Sequence, residues 1–153
     1  MNTIRTVRRE DLPGLLNLYV HLNPDNASLP GNEHLQQVWQ QILSDPKLHC
    51  FVAETNGTLT GTCLLVIVPN LTRSARPFGV IENVVIHRDY RRQGIGSQLM
   101  RHTLDGAWGG GCYKAMLLSG SRREEAHRFY EGLGFKRDSK VGFVAMPAAL
   151  PKG

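Results

Sequence analysis

The spacing of apolar positions divides the chain into helical and extended stretches. Residues 3–8 alternate side by side and read as a first strand near a sheet edge. Asp11 stands as an N-cap with Pro13 in the first turn, opening a helix through Leu15, Leu16, Leu18, Tyr19 and Leu22. Residues 23–31 are a loop by their Pro, Asn and Gly content. A second helix, about residues 33–43, puts Leu35, Val38, Trp39 and Ile42 on one face. Residues 49–54 and 59–68 flank Asn56-Gly57, the dipeptide of a tight hairpin. After a loop over residues 69–77, residues 80–86 form an apolar run broken only at Glu82 and Asn83, which predicts a strand covered on both faces. Ile95, Leu99, Met100, Leu104, Ala107 and Trp108 then recur at helical spacing until Gly109-Gly110-Gly111 ends the helix. Residues 115–118 read as a short core strand. Residues 123–133 read as a helix with Ala126, Phe129, Tyr130 and Leu133 on its buried stripe. Phe135 begins a last strand-like region that residues 141–146 complete.

The resulting order is β-α-α-β-β-β-α-β-α-β. Hairpin strands come first and helical crossovers second, so the expectation is an α/β (α+β) chain with a mixed central sheet and helices on both faces. A chain of 153 residues is long enough for one domain with a real core. Residues 1–147 are expected as that domain and residues 148–153 as a frayed tail.

Composition narrows the partner without naming it. With 41% hydrophobic and 20% charged residues the chain is ordinary for a globular protein, and no apolar run approaches the roughly 20 residues of a membrane span. The first residues have no signal-peptide apolar core, so a cytoplasmic address is expected. Cys50, Cys63 and Cys112 show no ligand spacing and the histidines are dispersed; reduced thiols and no metal site are expected. The net charge of +5 favours an anionic partner, either nucleic acid or a polyphosphate cofactor. The arginines come in scattered pairs, which disfavours an extended nucleic-acid surface.

Three features carry candidate chemistry. Arg91-Arg92-Gln93-Gly94-Ile95-Gly96-Ser97 lies between a predicted strand and a predicted helix. The first N–H groups of a helix are unpartnered and the macrodipole is positive there, so this turn reads as an anion site or as a plain helix opening. It lacks both the G-x-G-x-x-G of a dinucleotide fold and the Gly-Lys-Ser/Thr of a P-loop. Glu82 in an otherwise apolar strand is either at a wet strand end or a base at the floor of a cleft. Tyr130 by itself reads as a core tyrosine, and His127, beside Glu124 and Glu125, as part of a solvated helix face.

Together these stretches resemble a known family. The run from Val84 through Arg91, Gly94 and Gly96, followed by Ala126-His127-Arg128-Phe129-Tyr130-Glu131-Gly132-Leu133-Gly134-Phe135, is similar to two motifs of the GNAT superfamily of acyl-CoA-dependent N-acyltransferases. Residues 81–85 and 111–114 further resemble glucosamine-phosphate N-acetyltransferases. The resemblance implies a single-domain GNAT-like fold with a splayed central strand pair. It implies acetyl-CoA as cosubstrate, its pantetheine arm along Val84, Val85 and Ile86 and its pyrophosphate at Arg91, Arg92, Gln93, Gly94, Ile95, Gly96 and Ser97. It further implies the Val85 amide as oxyanion donor, Tyr130 as the acid toward the CoA thiolate and Glu82 as base toward the amine. Arg73, Arg76, Glu82 and Asn83 are the candidate acceptor contacts; the two arginines read either as contacts to an anionic acceptor such as a sugar phosphate or as solvated surface residues. Arg123 stands where many relatives carry Asn. The acceptor is expected to be a small-molecule amine, and the resemblance alone suggests a homodimer. A non-catalytic acyl-CoA-binding module and a basic nucleic-acid-binding domain are the other readings.

Overall fold

The computed structural model describes residues 1–23 and 33–148. All but Asn23 of the expected loop over residues 23–31, and most of the expected tail, lie outside them. The chain divides into two compact units, Met1–Leu117 and Leu118–Gly153.

The first unit is built on a five-stranded sheet in the order β1-β2-β3-β4-β5: β1 (Asn2–Thr6), β2 (Leu48–Thr55), β3 (Thr58–Val68), β4 (Phe78–Ile86) and β5 (Ala115–Met116). The first four strands pair antiparallel and β5 joins β4 in parallel, so the sheet is mixed. Asn56 and Gly57 turn the β2–β3 hairpin with positive φ at both positions, the geometry that Asn-Gly supplies at little cost. Helices α1 (Leu12–Leu22) and α2 (Glu33–Ser44) cover one face, where Leu15 and Trp39 pack with Cys50 and Val52. Helix α4 (Ile95–Gly109) covers the other; its Leu99, Met100, Thr103 and Ala107 are buried, and Thr103 Oγ1 meets Cys63 Sγ at 2.9 Å.

Asp11 ends a 3-10 turn ahead of α1, but its side chain does not cap that helix. It accepts the Arg8 N–H and a two-pronged contact from Arg5, whose guanidinium also meets Glu54. The Arg5 hydrogen bond, opposed by burial, holds the Asp11 carboxyl below its ordinary range. The three cysteines are free and buried, and burial pushes all three thiols up, Cys63 to about 12.

The second unit contains α5 (Glu124–Gly132), which ends at Gly134 with φ of 98° and a bond from Phe135 N–H to the Tyr130 carbonyl. The strand expected over residues 141–146 is not present among the described residues. Val141, Phe143, Val144 and Met146 are exposed, Phe143 at 90%. Alternation makes a segment able to form a strand; only a partner edge makes it one.

Candidate active site

Strand β4 changes its pairing halfway along. Thr62 pairs with Val85 and Leu64 with Glu82, so Asn83 and Val84 together face the single residue Cys63. The extra residue is accommodated by Asn83, which takes φ of 55°. One inserted residue reverses which side chains face which layer. An added Cβ on Gly79 would lie 3.6 Å from Ala107 of α4, so this position looks toward α4. Ile86, seven residues on, should look the other way; instead its Cδ1 lies against Gly61, beside Leu99 of α4. His87 correspondingly turns toward α1, its ring 4.2 Å from that of His21. The bulge explains why two adjacent polar residues occur in an apolar strand. It sits at Glu82 and Asn83, and both are exposed.

The same register decides where the backbone groups point. The His87 N–H donates to the Thr60 carbonyl at 2.8 Å. By antiparallel alternation the Val85 groups also face β3, toward Thr62, whereas those of Val84 and Ile86 face the opposite side. On that side β5 pairs with β4 only through Gly79–Ala115 and Val80–Met116 among the described residues. Beyond Val80, β4 therefore has a strand neighbour on one edge and, among the described residues, none on the other, an edge slot. By this alternation the Val85 amide is turned toward β3, and the amide on the opposite side at that level belongs to Val84.

The slot leads to the basic turn. Arg91 donates Nε to the Ile86 carbonyl at 3.1 Å, pinning the turn to the end of the strand. Arg92 has φ of 62° and Gly94 has φ of 80°. Two left-handed residues turn the chain sharply here, and α4 begins at Ile95 with its first N–H groups unpartnered within the helix. Buried Ile95 and Leu99 anchor the helix, while residues 91–94 are exposed. A Cβ on Gly94 would meet nothing within 4 Å, so the place above the turn is open. His87 Nδ1 accepts the Asp89 N–H at 3.1 Å and its ring stands edge-on to Tyr90. The imidazole of His21 is held below its ordinary range by burial and then by His87, Arg88 and Arg91, against the opposing charge of Asp89. Sequence reasoning missed this histidine pair, because only the bulge turns His87 toward α1. Open amides along a slot, a positive turn and a helix start fit an extended ligand with a polyanionic end.

Arg73 and Arg76 are not part of this constellation. They lie before Phe78, at the opposite end of β4 from the basic turn. Tyr130 belongs to the second unit, half-buried, with its ring 5.2 Å from Phe129 and 5.7 Å from Phe135. His127 serves local structure there: Nε2–H donates to the Gly120 carbonyl at 2.8 Å, and Nδ1 faces Arg137. Among the described residues no group of three or more His, Cys, Asp or Glu side chains is placed to hold a metal. No helix among them is long and apolar enough to cross a membrane.

Residues 13–135 match the family model of the acetyltransferase (GNAT) family. The chain is 32% identical over 133 residues to glucosamine 6-phosphate N-acetyltransferase of Trypanosoma brucei brucei, covering 87% of this chain and 88% of that one. Among solved structures it is similar to a proposed acetyltransferase from Agrobacterium tumefaciens str. C58, with 43% identity, TM-score 0.90 and coverage of 95% and 99%. It is also similar to a transcriptional regulator from Bacillus halodurans C-125, with 27% identity, TM-score 0.86 and coverage of 95% and 100%. The family match over most of the chain and the likeness to these relatives agree with the fold, and this chain belongs to the GNAT acetyltransferase family.

Proposed function

We propose that this protein transfers an acetyl group from acetyl-CoA directly to the primary amine of a small molecule, with amino sugars and their phosphates as leading acceptors. The observation that carries the reading is the free edge of β4 running into the left-handed basic turn. The C=O of Val84 and the N–H and C=O groups of Ile86 bond the pantetheine amides as an added strand would. The amides of residues 92–97, with Arg91 and Arg92, hold the pyrophosphate. The Val84 N–H donates to the charge developing on the acyl oxygen, the role first expected of Val85. Glu82 takes the proton that the attacking amine must lose, and Tyr130 protonates the departing thiolate. Buried thiols whose pKa values are raised offer no cysteine nucleophile, in keeping with direct transfer.

The experiment is thiol release from acetyl-CoA against a panel of amines, run beside thermal unfolding with and without acetyl-CoA. The proposal expects a raised melting temperature, through selective binding to the folded state, and turnover with at least one amine. The name of the Bacillus halodurans relative favours a second reading, a non-catalytic acyl-CoA-binding regulatory module. That reading expects the thermal shift with no turnover.

A further inference from the structure

At the far end of β4 lies a second group of cations. Arg73 stands 5.6 Å over the Tyr113 ring, and Lys114 Nζ lies 5.4 Å from the Tyr113 ring and 5.6 Å from that of Phe78. Lys114 is half-buried, and among the described residues neither it nor Arg73 nor Arg76 has a carboxylate partner. Aromatic faces stabilise the positive charges but do not neutralise them. Arg73 and Lys114 share the Tyr113 ring, and two such neighbouring cations repel one another until an anion joins them.

The group is also held in place. Arg73, Ser74 and Ala75 are three consecutive non-glycine residues with φ of 55°, 60° and 59°, a conformation costing about 1–2 kcal/mol for each such residue. Asn70 closes this turn, α3 (Thr72–Ala75), by donating from its side-chain amide to the Thr72 and Arg76 carbonyls at 3.1 Å each. Tyr113 N–H donates to the Pro77 carbonyl and Gly79 N–H to that of Lys114, which ties the aromatic wall to the sheet. Strain maintained by specific hydrogen bonds marks a preorganised site.

The geometry points to an anion subsite for the acceptor, formed by Arg73 and Lys114 and specific for a phosphate or similar tetrahedral dianion. Phe78, Val80 and Glu82 share one face of β4, as their pairing with Val68, Val66 and Leu64 requires. Four residues of strand separate Phe78 from Glu82 by about 13 Å, and the long cationic side chains shorten that span. An amine held at Glu82 can therefore place an anion roughly a sugar ring away in this subsite. This assignment rests on the acetyltransferase reading above.

The test is thiol-release kinetics with glucosamine and glucosamine 6-phosphate, with inorganic phosphate as competitor, for the wild type, Lys114→Met and Arg73→Ala. The expected result is at least a tenfold preference in kcat/KM for the phosphorylated amine, carried by KM. Each variant should lose most of it while retaining its acetyl-CoA thermal shift, and inorganic phosphate should inhibit only the wild type effectively. Turnover with no preference for the phosphorylated amine, or a preference and phosphate inhibition that both variants keep, overturns the subsite. Absence of any acetyl-CoA shift and of any turnover overturns the acetyltransferase reading instead. A variant that fails to fold shows no thermal transition, and the other variant then decides.

Discussion

Gly79 and Ile86 stand seven residues apart on β4, yet both look toward α4. In a regular strand an odd separation puts two residues on opposite faces. The inversion is the work of one residue, Asn83, and it decides both where Glu82 is exposed and which amides line the slot.

Asn83 is held at φ of 55°, a conformation hostile to β-branched side chains. Asn83→Val should destabilise the fold by about 1–2 kcal/mol and diminish the acetyl-CoA thermal shift. Asn83→Gly should preserve both. Urea unfolding and thermal scans of the two variants check this, and equal behaviour would remove the bulge from the account.

Gly94 and Gly57 form a matched pair, with φ of 80° and 83° and open space where a Cβ would go. Alanine at either position should cost about 1 kcal/mol of stability for backbone reasons alone. Only Gly94→Ala should also weaken acetyl-CoA binding, which calorimetric titration of both variants would measure. Equal cofactor affinity in the two would detach the turn from the cofactor.

Tyr130 packs on Phe129 and Phe135, contacts a phenylalanine can keep. Tyr130→Phe should leave stability and acetyl-CoA affinity nearly intact while lowering turnover on the order of a hundredfold. Steady-state kinetics with an accepted amine decide it, and unchanged turnover would return Tyr130 to a packing role.

Asp11 contributes stability through Arg5. Its carboxyl is held below the ordinary range, so the contribution is full above the unfolded value of about 3.9. It fades as pH falls through the lower folded value. Asp11→Asn should cost about 3 kcal/mol near neutral pH, and the gap to wild type should close in strong acid. Urea unfolding across that range tests the sign; a gap that widens in acid would contradict it.

Much of this was legible in residue order. The apolar run of β4, the glycines of the turn and the Ile95–Leu99–Ala107 spacing of α4 are local signals, and they located the strand, the turn and the helix. Pairing is not a local signal. The opposition of Asn83 and Val84 to Cys63 depends on a strand some twenty residues earlier, which residue order alone does not show. The approach of Lys114 to Phe78 likewise needs β5 beside β4, although Arg73 and Arg76 were visible as charges. Residues 141–146 show the reverse failure, a strand pattern with no ladder among the described residues.

The central claim is that an acyl-CoA arm completes the open edge of β4. Residue-resolved amide hydrogen exchange, with and without saturating acetyl-CoA, tests it most directly. The account predicts that Val84 and Ile86 slow markedly on binding while Val85, already turned toward Thr62, changes little. Unaltered exchange at Val84 and Ile86 in a protein saturated with acetyl-CoA would contradict it.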